Sequence, residues 1–196
     1  MADSLFLSLW FPSFESAEML PRVATVLRLF PFSAALPGVS YVAVQPISWA
    51  EPSILERRFT PAVPPEAAID AVAEFAHEDY AVSFEAYWDL WSPDPAGEWG
   101  LRPSKVLFIA NGTQFDESSS VDLGHLQIDF GLDYPFLHEE VDLSDETELR
   151  VKANVAKLVD FTQRVERDCG ISGRVLWSES DENLARKLIA RLQRVN

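Results

Sequence analysis

Residues 80–100 read YAVSFEAYWDLWSPDPAGEWG, and their alternation guides the interpretation of the whole chain. Between Phe84 and Leu90 every second side chain is apolar, which is the period of a strand with one face against a core. The pattern predicts a strand from Tyr80 to Trp91, followed by a turn-rich loop from Ser92 to Gly100. The predicted core face consists of Phe84, Ala86, Trp88 and Leu90.

The other face of this strand and the loop after it hold the candidate binding residues. Aromatic side chains beside carboxylates are typical of protein interfaces, where charge steers the approach of the partner. The same chemistry also suits a surface that stacks sugars, or a core strand covered by a helix beside a solvated loop. The sequence leaves these three alternatives open. The candidates are Glu85, Tyr87, Asp89, Trp91, Asp94, Glu98 and Trp99.

Carboxylate catalysis would need a second strand. Glycosidases hold two carboxyl groups about 5–9.5 Å apart. Glu85 and Asp89 are four residues apart in one strand, at about 3.3 Å per residue, which is too far for such a pair. One of them would need a carboxylate from a neighbouring strand, such as Asp129.

Working outward, the chain contains five further predicted strands and four predicted helices. The Pro-rich residues 48–65 are predicted to be a linker or a long functional loop, because structureless loops of that length are uncommon in compact domains. The predicted order is β-α-β-α-β-β-β-α-β-α, which indicates a single α+β domain over residues 1–196 with a mostly antiparallel sheet of about six strands. A division near Gly100 into two ferredoxin-like halves is the alternative. The other strands are predicted at 4–11, 38–47, 105–113, 125–131 and 173–179, and the helices at 15–30, 66–77, 144–169 and 180–195.

The last two helices have the clearest patterns. Ser144 is a suitable N-cap, and Gly170 a suitable stop, for a helix with one apolar stripe. Ser180 is predicted to cap the final helix. The stripe of the first comprises Val151, Val155, Leu158, Thr162, Val165 and Cys169, and that of the second comprises Leu184, Leu188, Leu192 and Val195.

The negative charge is concentrated in the middle of the chain. The net charge is −15, and residues 66–148 contain twenty Asp or Glu against only Arg102 and Lys105, a net of −18. Such a field repels phosphate backbones and anionic membranes but attracts a cationic partner. We therefore expect no nucleic-acid or membrane partner and a possible basic protein partner. An acidic surface that only maintains solubility is the alternative.

Motifs with a known chemistry are absent from the sequence, so no cofactor and no metal are expected. There is no G-x-G-x-x-G, P-loop, G-x-S-x-G or H-E-x-x-H pattern. The adjacent residues His138, Glu139 and Glu140 are poorly placed to converge on one ion. Cys169, the only cysteine, falls on an apolar stripe and is predicted to be buried rather than reactive.

The expected function follows from charge alone. We expect a cytoplasmic, non-enzymatic binding protein with an acidic face for a cationic protein, as in an immunity or inhibitor role against a basic toxin or nuclease. The short N-terminal run from Leu5 to Phe11 is preceded by Asp3, which favours a strand over a signal sequence. The alternative is a small enzyme that uses carboxylate acid–base chemistry on a small molecule or sugar, in a cleft beside residues 48–65.

Overall fold

Seven strands form one antiparallel sheet in the computed structural model, which describes residues 3–137, 144–179 and 184–193. Every strand pairing is antiparallel, and the order across the sheet is β3-β2-β4-β5-β6-β1-β7. The predicted α+β class is confirmed. The strands are β1 (Ser4–Trp10), β2 (Val39–Pro46), β3 (Leu55–Val63), β4 (Tyr80–Pro93), β5 (Trp99–Asn111), β6 (Leu126–Leu132) and β7 (Gly173–Ser178).

The main helices cover one face of this sheet. Strands from both sides of residue 100 belong to the same sheet, and β1 lies between β6 and β7. Two short 3₁₀ turns, at Ala73–Phe75 and Phe115–Ser118, lie in the connections. The helices are α1 (Ser16–Leu29), α2 (Pro65–Asp70), α3 (Ser120–Leu123), α4 (Tyr134–Leu137), α5 (Asp145–Asp168) and α6 (Leu184–Gln193).

The core lies between the sheet and helices α1 and α5. Trp88, in β4, is fully buried, with its ring centroid 5.2 Å from that of Phe130 and 5.5 Å from that of Phe30. Phe30 directly follows α1 and also contacts Phe161 of α5 edge-on. Each such aromatic pair contributes about 0.5–1.5 kcal/mol beyond area burial. These contacts fix the even-numbered face of β4 toward the helices, so most odd-numbered side chains lie on the other face.

The prediction of a linker or long functional loop over residues 48–65 is wrong for the second half of the segment. The second half of the segment is β3, an edge strand that pairs only with β2 among the described residues. Most side chains of β3 are exposed, so the sequence lacks the apolar alternation of a half-buried strand. Pro61 is compatible with an edge strand, where one side of the backbone needs no partner.

Two other boundaries differ from the predictions. The helix predicted at 66–77 ends at Asp70 and is followed by the turn at Ala73–Phe75. β5 starts at Trp99, so β4 and β5 form one long hairpin that pairs from Ala81–Asn111 out to Pro93–Trp99. The predicted loop at 92–100 is therefore reduced to a short tip.

The predicted cap of α5 and the predicted apolar stripes are confirmed where the structure describes them. Ser144 caps α5 by accepting a hydrogen bond from the Thr147 amide, and all six residues of the predicted stripe are buried. Burial also raises the pKa of the Cys169 thiol to about 11. Leu184 and Leu188 are buried. The predictions for Ser180, Val195 and the 138–140 triplet, and for the Leu192 side chain, lie outside the residues described.

No helix in the described part of the chain combines the length and the apolar character needed to cross a bilayer.

The packing of α5 predicts a large effect for one substitution. Leu158→Asp places an unpaired carboxylate in a fully buried position and should lower the free energy of unfolding by at least about 3 kcal/mol. Ala156→Asp adds the same charge at an exposed position of the same helix and is the control. Urea unfolding measures both variants. Equal unfolding midpoints would mean that α5 is peripheral.

His125 predicts a pH dependence of stability. Its Nδ1 accepts the Phe11 amide at 3.0 Å, its ring stacks on Phe14 at 4.9 Å, and burial lowers its pKa. Below about pH 6.5 the unfolded chain binds a proton at His125 more readily than the folded chain does. The free energy of unfolding therefore decreases as the pH is lowered. Between about pH 7.5 and 5.5 the wild type should lose more stability than His125→Gln. The exposed His77→Gln variant should follow the wild type.

Candidate functional site

A cleft of about 180 Å³ opens where β2, β3 and β4 meet, on the sheet face away from the main helices. Its floor is polar, with Ser40, Glu85 and Tyr87. One wall is the segment of β3 from Phe59 to Ala62, and Leu36 and Arg58 complete the lining. We refer to this feature as the Glu85 cleft.

An irregularity in strand pairing produces the Glu85 cleft. Val39 pairs with Ala86 and Tyr41 with Glu85, so Ser40 is an extra residue relative to β4. On the other side of β2 the partners jump from Arg58 to Val63, which leaves residues 59–62 unpaired with β2. Bulges of this kind redirect side chains and are common beside functional sites. Here the bulge directs the Ser40 hydroxyl onto the Glu85 carboxylate.

The Glu85 side chain is 12% exposed, and its contacts with the described residues fall on one carboxylate oxygen. Oε1 accepts hydrogen bonds from Ser40 Oγ at 2.9 Å and from the Tyr87 hydroxyl at 3.3 Å. Arg58 Nη1 is 3.8 Å from the same oxygen, beyond hydrogen-bond length, and the Arg58 side chain is 66% exposed. The carboxylate is therefore held mainly by hydroxyl groups, with a loosely placed cation at its entrance.

The pKa values of two tyrosines next to this carboxylate are raised. Burial raises the pKa of Tyr87, and the negative charge of Glu85 raises it further. Burial and the nearby Glu56 raise the pKa of Tyr41, whose ring lies 5.3 Å from the Arg58 guanidinium carbon. Both phenols are therefore neutral hydrogen-bonding groups at neutral pH.

Asp89 and Trp91 serve the packing of the helices. Asp89 accepts hydrogen bonds from Ser33 Oγ at 2.7 Å and from the Ala34 amide at 3.0 Å, which fastens the loop after α1. The Trp91 ring lies 5.1 Å from the Arg150 guanidinium carbon, and the Asn154 side chain bonds both the amide and the carbonyl of Trp91. Trp91 remains more exposed than the fully buried Trp88, as the alternation predicts.

The remaining candidates lie at the tip of the β4–β5 hairpin. Asp94 accepts hydrogen bonds from the Ala96 and Glu98 amides and pairs with Arg102 at 3.2 Å. The Glu98 amide is the largest of the contacts that lower the pKa of Asp94. Glu98 is exposed, and Trp99 is half-buried opposite Pro93. Of the seven candidates, Glu85 and Tyr87 both line the Glu85 cleft.

The two carboxylates considered for acid–base chemistry lie on β4 and β6, with β5 between them. Glu85 is opposite Leu107, and Leu107 is opposite Asp129, so two strand spacings of about 4.8 Å separate the two acids. Asp129 also bonds the Gly131 amide at 2.8 Å. Of the described residues that line the Glu85 cleft, Glu85 alone carries a carboxylate. The enzymatic alternative therefore stays a prediction without a matching pair.

A second feature lies at the end of the sheet where β2 and β5 finish. The loops 47–54, 77–79 and 112–123 meet there, and we call them together the acidic loop end. The Ile47 amide bonds the Asp79 carbonyl, the Asp116 amide bonds the Ile47 carbonyl, and the Gln114 amide bonds the Glu78 carbonyl, each at 2.7 Å. These loops contain no Lys or Arg. Their acids are Glu51, Glu78, Asp79, Asp116, Glu117 and Asp122.

Large apolar side chains project from the same loops. Ile47 is 60% exposed, Trp49 is 47% exposed and Val121 is 71% exposed. The Trp49 ring rests edge-on against the buried Phe115 at 5.1 Å, so its position is fixed from below. An anchored, half-exposed tryptophan next to an exposed isoleucine, on loops that carry acids and no Lys or Arg, has the composition of a protein-binding surface.

The backbone of the acidic loop end adopts unfavourable conformations. Ile47 has φ 62°, and the consecutive residues Asp116, Glu117 and Ser118 have φ 46°, 57° and 64°. The left-handed region costs an L-residue roughly 1–2 kcal/mol, and a β-branched residue there is an outlier. Gly112 is required for a different reason, because a Cβ there would lie 2.2 Å from the Glu78 carbonyl oxygen. Strain of this kind is concentrated at functional sites.

Comparisons with known proteins identify no relative. No family model, no curated protein and no solved structure matches this chain. Within the described ranges, no three His, Cys, Asp or Glu side chains are grouped as metal ligands would be. The functional argument therefore rests on the two features above.

The sequence did not predict that Ser40 and Arg58 lie beside Glu85, or that the three acidic loops contact one another. Ser40 is placed by a bulge, and Arg58 belongs to the segment assigned to a loop. The polar run from Asp116 to Ser120 was visible, but its proximity to Ile47 and Asp79 depends on strand order. The available signal was the concentration of acid without base in residues 66–148.

Strain at Ile47 predicts an unusual stabilising substitution. Ile47→Asn introduces a residue that tolerates the left-handed region, and because Ile47 is 60% exposed the change removes little buried apolar surface. The substitution should therefore raise the free energy of unfolding by roughly 1 kcal/mol. Ile47→Val retains the β-branch and should give no gain. Thermal melting compares the two. A loss of stability in the Asn variant would show that the Ile47 side chain contributes more than its backbone costs.

Proposed function

We propose that this chain is a binding protein that docks a basic protein through the acidic loop end. The observation that supports this proposal most directly is the junction of three loops that carry six carboxylates and no Lys or Arg. Their exposed apolar residues supply the contact area that charge alone lacks. An inhibitor or immunity role against a basic toxin or nuclease is the particular form of this function that we favour.

The acids and the apolar residues contribute to different steps of binding. The acids accelerate the approach of a cationic partner by about 10- to 1,000-fold at low salt. Trp49 and the neighbouring Ile47 then provide the desolvated centre of the contact, where buried aromatic anchors contribute much of the binding energy. The local strain is consistent with a loop geometry retained for binding rather than for stability.

The acids of the β4–β5 hairpin are weaker candidates for the same role. Asp89 and Asp94 already accept internal hydrogen bonds, and Asp94 also pairs with Arg102. A partner that engaged them would have to replace those contacts. Glu51, Asp79, Glu117 and Asp122 are exposed and are the acids most available to a partner.

The test compares two sets of four neutralised acids. The loop variant changes Glu51, Asp79, Glu117 and Asp122 to the corresponding amides. The control variant makes the same change at four exposed acids outside the acidic loop end, and it includes Glu98 of the hairpin tip. The control positions are Asp70, Glu98, Asp145 and Glu179.

Immobilised wild-type protein is used to capture basic proteins from a lysate, and the association rate of a purified captured protein is then measured. We expect the loop variant to associate about tenfold or more slowly at low salt, and the control variant to remain near the wild-type rate. The difference should shrink at 1 M salt, where the Debye length is about 3 Å. Equal slowing in both variants would reduce the effect to net charge and contradict docking at these loops.

A further inference from the structure

We propose that the Glu85 cleft is a binding site for a primary ammonium group on a short alkyl chain. This site is separate from the acidic loop end, because Glu85 lies within β4 and not in the three loops. The inference does not depend on the proposed docking function.

The charge of Glu85 is only partly compensated by its neighbours, which favours a cationic ligand. A carboxylate on a side chain that is only 12% exposed is costly to bury unless an opposite charge is close. The nearest such charge, Arg58 Nη1, is 3.8 Å away on a side chain that is 66% exposed. Within the described residues all three contacts to this carboxylate are made to Oε1, so Oε2 is available to a donor from the cleft. A small cation that displaced Arg58 would compensate the buried charge more fully.

The arrangement of hydrogen-bonding groups favours an ammonium over a guanidinium. An ammonium has three donors and no fixed plane, and it can bond Oε2 together with the oxygens of Ser40 and Tyr87. A guanidinium fork needs both carboxylate oxygens, and Oε1 is already occupied by two hydroxyl donors. The raised pKa of Tyr87 keeps its phenol neutral, so it can accept a hydrogen bond while donating its own.

The size and the walls of the cleft define the rest of the ligand. Clefts that hold drug-sized molecules have volumes of about 300–1,000 Å³, whereas this one has about 180 Å³. It therefore admits a group about the size of one long side chain. Leu36, Phe59 and Pro61 form apolar walls suited to an alkyl stem. A metal ion is a poorer match, because Glu85 is the one carboxylate among the described lining residues.

The experiment is an NMR titration of the full chain with n-butylammonium chloride at constant ionic strength. We expect shift changes at the amides of Ser40, Thr60 and Tyr87. Glu85→Gln should weaken binding about tenfold or more, because it removes the buried charge and leaves the shape intact. Arg58→Gln should tighten binding several-fold, because it removes the competing cation. Arg57→Gln removes the same charge from the neighbouring position and should leave the affinity unchanged.

The expected changes in affinity have opposite signs for Glu85→Gln and Arg58→Gln. Together with the Arg57→Gln control, they distinguish a specific site from attraction to the net charge of the protein. If Arg57→Gln tightened binding as much as Arg58→Gln, the effect would be net charge and the proposal would be overturned. Affinity within about twofold of wild type in Glu85→Gln would overturn it as well. So would equal binding of n-butanol, which has the same stem without the charge. Should Glu85→Gln fail to fold, Ser40→Ala and Arg58→Gln still give the test.

A second ligand distinguishes the two sources of an alkylammonium. Nα-acetyl-lysine N-methylamide presents the same group on a peptide backbone. Binding as tight as that of n-butylammonium points to a lysine of a protein partner, whereas binding of the free amine alone points to a small metabolite amine. Failure of both ligands to bind overturns the proposal and leaves the proposed docking function untouched.

Discussion

The burial of Trp88 between the sheet and helices α1 and α5 is the constraint on which the rest of the structure depends. Its ring contacts Phe30, Phe130 and Phe136, which come from three separate segments of the chain. A strand has a period of two, so fixing one large side chain inward fixes its neighbours outward. Glu85 and Tyr87 face the Glu85 cleft because Trp88 cannot leave the core.

The two candidate features arise in different parts of the sheet. The Glu85 cleft arises inside the sheet, where a bulge at Ser40 interrupts regular pairing beside an edge strand. The acidic loop end arises where strands finish, and its backbone carries left-handed residues that a stable loop would avoid. Neither feature is needed to complete the core. We infer that both are retained for contact with other molecules.

Periodicity in the sequence predicted the interior well and the surface poorly. The stripe of α5, the inward face of β4 and the burial of Cys169 follow from apolar spacing, because burial of those residues is what holds the fold together. β3 escaped prediction because an exposed edge strand with Arg57, Arg58 and Pro61 has no apolar period. The acids of residues 84–99 were visible in sequence, but their hydrogen bonds to Ser33, Ala96 and Arg102 were not. Such contacts depend on tertiary position.

Hydrogen–deuterium exchange with the purified partner is the sharpest test of whether a basic protein docks on the acidic loop end. The account predicts that binding slows exchange in peptides covering residues 47–54, 77–79 and 112–123. It also predicts unchanged exchange at the β4–β5 tip, residues 94–98. Protection at the tip with no change in the three loops would contradict the account and return the binding surface to the hairpin.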